Sequence, residues 1–222
     1  MAAGVDSRAV LARLDSRVPP ELAEGASEFV ARGAPPVAPR LSASVLLIRE
    51  ASSADPALEV YVMHRHPRMP FAPGFVAFPG GGADPGEGPV EAAVRETREE
   101  TGVRLAPDAL RPWAHWITPA CEPRRYDTHF FLATLPAGQQ AADVSGETVR
   151  AGWAKPSAVL DEADAGVVTL MPPTRSMLLE LADCASVAEA VGNAVGRRVQ
   201  PVLPELLATD RGWRFHYGAG ET

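Results

Sequence analysis

Residues 81–103 read GGADPGEGPVEAAVRETREETGV, and no other stretch confines the local fold so tightly. Gly80-Gly81-Gly82 and Asp84-Pro85-Gly86 are strong turn signals, so a loop runs to about Gly88. Pro89 suits the first turn of a helix, where its missing N–H costs nothing. Gly102 suits the helix end, where a left-handed residue is needed. A helix of roughly three and a half turns is therefore expected from Pro89 to Thr101.

At 100° per residue, Val90, Ala93, Val94, Thr97 and Thr101 form one stripe that should face the core. Glu96, Glu99 and Glu100 fall roughly opposite, together with Ala92, and Glu91, Arg95 and Arg98 lie on the flank. Spacings of three and four make the three carboxylates close neighbours. Like charges near 4 Å repel by roughly 4 kcal/mol at an effective dielectric of 20, so a half-buried cluster needs cations. Carboxylate oxygens without imidazole or thiolate partners select Mg²⁺ or Mn²⁺ over zinc. The plain alternative is a solvated acidic helix face. It does not account for the glycine loop, Glu87 and Arg95 standing at fixed distances from the carboxylates.

That pattern (a glycine, Glu87 six positions on, Arg95-Glu96, Glu99-Glu100, then Gly102 and a small apolar residue) resembles the Nudix box. One soft departure is Thr97, where an aliphatic residue is more usual. The resemblance implies an α/β fold, an α/β/α sandwich with a mixed sheet, and an enzyme that cleaves a diphosphate linked to another moiety. It also implies that Glu96, Glu99 and Glu100 are metal ligands, joined by the backbone carbonyl of Gly80. Arg95 and Glu87 then form an ordering pair, with Arg95 in reach of Glu91 or Glu99. Their plain reading is a surface ion pair worth under ~1 kcal/mol. The implied mechanism is attack of a metal-activated water on phosphorus. Glu99, Glu100 and Glu147, in a later loop, are the candidate bases, and Glu147 also reads as a solvated loop carboxylate.

The run Tyr61–Gly81, YVMHRHPRMPFAPGFVAFPGG, looks like the CoA and acyl-CoA diphosphatase branches of that family. So do Trp116–Pro119, Arg124–Thr128 and Phe130-Phe131. Met69-Pro70-Phe71 departs from the leucine-arginine-histidine run usual in the CoA branch. The resemblance implies hydrolysis of CoA or an acyl-CoA to (acyl-)4′-phosphopantetheine and 3′,5′-ADP. A general nucleoside-diphosphate hydrolase acting on ADP-ribose or a dinucleotide is the alternative. A non-catalytic nucleotide sensor is weaker, because every box carboxylate is present. Arg65, Arg124 and Arg125 are candidate phosphate contacts, since arginine grips phosphate bidentately. His64, His66, His115 and His129 show no ligand spacing and read as strand or loop residues. Trp113, Trp116, Phe130 and Phe131 read as core.

A chain of 222 residues can bury one full core, and a net charge of −7 without a basic block argues against a nucleic-acid platform. The expected partner is a small-molecule diphosphate, with no nucleic acid and no membrane; a homodimer stays an open alternative. Neither a signal-peptide run nor a membrane span is visible. Cys121 and Cys184 have no metal spacing, so both are expected reduced, in a cytoplasmic protein.

The expected organisation is an N-terminal helical extension with a proline-rich linker (1–40), a Nudix-like domain (41–170), and a C-terminal helical extension and tail (171–222). The N-terminal helices break at Val18-Pro19-Pro20. Strands are expected at Ser42–Glu50, Leu58–Arg65, Gly74–Phe78, Trp113–Thr118, Thr128–Leu135 and Thr148–Trp153, with a short edge at Val103–Leu105. A helical pattern covers Pro156–Ala165, Pro173–Ala182 opens a longer helical stretch, and the tail from Val199 is expected to be interrupted by proline and then extended.

Overall fold

The structure, a computed structural model, describes residues 7–18, 20–51, 57–66, 74–144, 146, 148–210 and 212–218. Its spine is β1 (Arg40–Glu50), in which Val45, Leu46, Leu47 and Ile48 are all fully buried. A strand covered on both faces reads as a continuous apolar run rather than an alternation.

Along one edge β1 pairs antiparallel with β2 (Leu58–Arg65) through Ile48–Glu50, and with β4 (Gly80–Gly82) through Ser42–Ser44. Along the other it runs parallel to β6 (Tyr126–Thr134). With β3 (Phe75–Ala77), β5 (Arg111–Ile117), β8 (Thr169–Leu170) and β9 (Pro201–Val202), the order is β8-β3-β2-β1-β6-β5-β9. The strand β7 (Thr148–Ala154) pairs with β2. The sheet is mixed, as expected, and the β1–β2 hairpin closes with Ala51 N–H donating to Ala57 O at 2.7 Å.

Each face of the sheet carries its own core. Ala43, Val45, Leu47, Tyr61, Met63, Phe131 and Ala133 pack with Ala92 and Ala93 of α3 (Pro89–Thr101). On the opposite face Leu46, Ile48, Val60, Val62, Trp113, Trp116, Phe130 and Leu132 meet four helices. These are α1 (Ser7–Leu11), α4 (Pro156–Asp164), α5 (Pro172–Ala182) and α6 (Val187–Ala194). The result is the helix–sheet–helix sandwich, and the four aromatics are core residues.

Two local expectations change, and the extended tail takes a definite form. Val103–Leu105 is not a strand: Val103 and Leu105 are buried, but the Gln139 side chain satisfies the backbone between them. Arg104 N–H donates to Gln139 Oε1 at 2.8 Å, and Gln139 Nε2 donates to Arg104 O at 2.9 Å. The longer helical stretch opened at Pro173 is divided in two, α5 ending at Ala182 and α6 starting separately at Val187. The tail contains β10 (Glu205–Thr209) and β11 (Gly212–His216), a hairpin that packs back on the N-terminal segment. There Phe215 N–H donates to Ser16 O at 2.8 Å, and Trp213 Nε1 donates to Ser27 Oγ, on α2 (Pro20–Arg32), at 3.0 Å. No helix among the described residues is long and apolar enough to cross a membrane.

Candidate active site

The site is built where β4 passes beneath α3. Gly88 enters the helix in an extended conformation, Pro89 opens it, and Gly102 ends it at φ 74°, its N–H donating to Arg98 O at 2.9 Å. Thr97 is fully buried on the core side, and its hydroxyl donates to Ala93 O at 2.7 Å. This internal bond lets a polar residue occupy a position suited to an aliphatic one. The buried face is wider than periodicity alone indicates, because β4 flanks the helix as well as β1. Ala92 and Glu100 are therefore buried beside Ala93, Thr97 and Thr101.

Two glycines let the sheet approach the carboxylates. Val45 N–H donates to Pro79 O and Ala83 N–H to Leu41 O, so Ser44 and Gly80 face each other in a non-hydrogen-bonded pair. Both polar groups of Gly80 then point away from β1, and its N–H donates to Glu100 Oε2 at 2.7 Å. At Gly81 a Cβ would stand 2.5 Å from the Glu96 carboxyl carbon, so only glycine leaves that carboxylate its place.

Arg95 is the hub. Its Nη1 donates to Glu96 Oε1 at 2.8 Å and to Glu99 Oε2 at 3.1 Å, so one nitrogen holds two carboxylates. Nε and Nη2 take the two oxygens of Glu87, each at 2.9 Å, and Nη2 also donates to Gly82 O at 2.8 Å. Of the two helix partners in reach of Arg95, the contact is with Glu99. The arginine holds the Glu87 carboxyl below its usual range, and Glu87 in turn keeps the guanidinium firmly protonated. The three box carboxylates differ in access: the Glu99 side chain is 59% exposed, that of Glu96 is 16%, and Glu100 is buried.

Beside Glu100 lies a group that sequence reasoning missed. The segment 141–144 is tied to the end of α3, with Ala142 N–H on Thr101 O and Val144 N–H on Glu100 O, both at 3.1 Å. The Tyr61 phenol, beneath it, is pushed up first by burial and then by the Asp143 and Glu100 carboxylates. Asp143, exposed and accepting from the Thr148 hydroxyl, thus acts on the same phenol as Glu100 from a polar stretch without periodicity, where only the chain's return over α3 reveals it. Glu147, a few residues on, lies outside the described residues.

The candidate phosphate-binding arginines separate. Arg65 ends β2, where the register with β7 shifts, and Arg124 is exposed in the β5–β6 connection. Arg125 is buried instead, donating from Nε to Thr118 O at 3.0 Å and from Nη1 to Val37 O at 2.8 Å. It braces the linker against that connection rather than facing solvent. The donors around β4 and α3 are all oxygen: three carboxylates, with the Gly80 carbonyl directed off the ladder. Such a set fits a hard divalent cation.

The NUDIX domain family model matches residues 38–172, more than half of the chain. A putative nudix hydrolase 7 of Caenorhabditis elegans is 27% identical over 213 residues, covering 77% of this chain and 69% of that protein. An acyl-coenzyme A diphosphatase of Homo sapiens is 30% identical over 109 residues, which is 47% of this chain and only 29% of that protein. Among solved structures, a NUDIX hydrolase from Alicyclobacillus acidocaldarius superposes with a TM-score of 0.62 at 26% identity, covering 70% of this chain and 96% of that one. With the box, the sandwich and the glutamate–arginine cluster in place, this chain belongs to the Nudix family, hydrolases acting on diphosphate bonds.

Proposed function

We propose that this chain hydrolyses the diphosphate of CoA or an acyl-CoA with Mg²⁺ or Mn²⁺, in the cytoplasm, giving (acyl-)4′-phosphopantetheine and 3′,5′-ADP. The observation that carries the catalytic reading is the gathering of Glu96, Glu99 and Glu100 around the glycine strand, with Arg95 bonded to two of them. In this reading the three carboxylates and the Gly80 carbonyl hold the cation. When bound, it neutralises the diphosphate and acidifies water.

The chain's own groups do the rest. Arg95 fixes the orientation of Glu96 and Glu99. Glu99, the most accessible carboxylate, takes the proton of the attacking water; Glu100 is buried with one oxygen on Gly80, and Glu147 is the alternative base from the later loop. The water oxygen joins one phosphorus, the bridging P–O bond breaks, and the bridging oxygen leaves with the other phosphate. Arg65 and Arg124 take substrate phosphates, and Arg125 positions the connection that carries Arg124. The CoA assignment is supported by the Tyr61–Gly81 and Trp116–Phe131 patterns and by the likeness to the human acyl-coenzyme A diphosphatase.

A product-resolved screen of CoA, acyl-CoAs, ADP-ribose, NADH and nucleoside triphosphates with each metal tests the reading. Preferred turnover of CoA or an acyl-CoA is expected. Equal or better turnover of ADP-ribose rejects the CoA assignment in favour of a general nucleoside-diphosphate hydrolase. Tight nucleotide binding without any turnover rejects catalysis altogether.

A further inference from the structure

A second polar cluster stands on β5 and β6, apart from the glutamates. His115 and His129 are direct cross-strand partners, and Asp127 faces Ile117 two pairs along. Paired residues and residues two apart share a face, so all three side chains project together. The imidazole rings stack 4.1 Å apart at 20°. Asp127 Oδ1 contacts His115 Nε2 and lies 3.9 Å from His129 Nε2. One ligand atom from each residue falls within 4.8 Å of the other two, a spread that small side-chain rotations close onto a common ion.

The register places this trio relative to the box. His129 pairs with Ala43 of β1, Ala43 pairs with Gly81 of β4, and the Glu96 carboxylate stands over Gly81. Strands lie about 4.8 Å apart, so the histidines occupy the same face as α3 and the same row as Gly81, His129 roughly 10 Å and His115 roughly 14 Å away. A cross-strand ion pair needs one histidine and one aspartate. It does not account for a second imidazole stacked on the first and turned to the same carboxylate.

We propose that His115, Asp127 and His129 form a second divalent-cation site, one that takes a borderline transition ion such as Zn²⁺, Co²⁺ or Ni²⁺. Two imidazoles and one carboxylate on one side of an ion leave its remaining positions for water or an anionic oxygen. The donor chemistry separates it from the all-oxygen glutamate cluster: Mg²⁺ prefers the latter, and transition ions prefer nitrogen. This inference rests on β5 and β6 and stands whether or not CoA is the substrate. The sequence conceals the trio because its spacing, 115, 127 and 129, becomes a ligand set only when the two strands pair.

The test is titration of the full-length, chelator-treated protein with Co²⁺ in excess Mg²⁺, reading ligand-field absorption, followed by displacement with Zn²⁺. One equivalent of Co²⁺ is expected, retained in the combined Glu96→Gln, Glu99→Gln, Glu100→Gln variant. His129→Gln or Asp127→Asn should weaken it at least about tenfold. Should those variants fold poorly, the wild-type proton spectrum decides. Zn²⁺ should shift the ring signals of His115 and His129 and leave those of His64 and His216 unmoved. No uptake in excess Mg²⁺, unmoved His115 and His129 signals, or an equivalent lost with the glutamates and kept in His129→Gln, overturns the site.

Discussion

Arg95 and Glu87 meet as a two-pronged pair, Nε on Oε1 and Nη2 on Oε2, both at 2.9 Å, across a gap of eight residues. Glu87 Oε2 also accepts from Asp84 N–H at 2.8 Å, and Arg95 reaches Gly82 O. One side chain thus fastens the loop to the helix while its remaining nitrogen aligns Glu96 and Glu99. Lysine carries the charge but lacks the planar fork. Arg95→Lys is expected to lower kcat about 100-fold, the scale of a misplacement near 1 Å, with little change in melting temperature. Steady-state kinetics at saturating metal beside a thermal melt will check it; near-normal kcat would detach Arg95 from the alignment of the carboxylates.

Gly80 and Gly81 should fail in different ways. A Cβ at Gly80 would lie 2.3 Å from the Ala43 backbone oxygen, which cannot move without disturbing β1. Gly80→Ala should therefore cost about 1–3 kcal/mol of stability, as overpacking does. A Cβ at Gly81 meets only the end of the Glu96 side chain, which can swing aside. Gly81→Ala should keep stability within about 0.5 kcal/mol and lose most of the activity. Urea unfolding and turnover measured on both variants separate the two; the reverse pattern would show that the close approach to Glu96 has no functional meaning.

Glu99 and Glu100 divide along the same line. Glu99 is mostly exposed, so Glu99→Gln should fold normally and lose about 100-fold or more in kcat, equivalent to roughly 3 kcal/mol of lost charge stabilisation. Glu100→Gln keeps an amide oxygen for the Gly80 N–H and should also fold, with a comparable loss of activity. Glu100→Ala leaves that N–H without its acceptor and should unfold more easily by about 1–3 kcal/mol. Either glutamine variant with near-full activity removes that residue from the metal-ligand set.

How much of this was legible depended on whether the cause was local. The bounds of α3 could be read because Pro89 and Gly102 act within one turn of themselves. The strands of β1 and β2 could be read because burial on both faces leaves an unbroken apolar run. Helix α6 did carry a local signal: Ser186 accepts from Glu189 N–H at 3.1 Å, and Glu189 accepts from Ala185 N–H at 2.7 Å. This Ser-x-x-Glu capping pattern precedes a short segment whose glycine, asparagine and valines dilute the helical pattern. Gly80–Gly82 read as turn because nothing local shows that β1 will pair with it. Asp143 beside Glu100, Gln139 standing in for a strand, and the β10–β11 hairpin on the N-terminal segment all depend on residues far away in the chain.

His64 gives the structure a pH dependence. Burial first, and then Arg150, hold its imidazole below the ordinary 6.5, partly offset by Glu162. Above pH 6.5 neither folded nor unfolded chain protonates it, and its contribution is fully present. As pH falls below 6.5 the unfolded chain takes up the proton first, so stability declines until the folded pKa is passed. His64→Gln should remove this component. Urea unfolding of both proteins at pH 7.5 and pH 5.5 should show the wild type losing more stability on acidification than the variant. Equal losses would mean that His64 titrates normally in the folded chain.

The segment after α6 is held to the sandwich by a buried pair, which provides the largest expected single-site effect. Arg197 Nη2 meets Glu180 Oε2 at 2.6 Å, with side-chain exposures of 9% and 6%, and the guanidinium lies over the Trp113 ring 4.4 Å from its centroid. Burial pushes the Glu180 carboxyl up even with the arginine beside it, so the desolvation of this group is only partly offset. Arg197→Met strands an acid in the core and should cost about 3–5 kcal/mol. Replacing both partners, Arg197→Met with Glu180→Met, removes the stranded group and should restore most of that loss, because an apolar pair of similar volume needs no partner charge. The double-mutant cycle by urea unfolding measures the coupling. Additive losses would show that the pair is not coupled and that the stacking on Trp113 alone holds the segment.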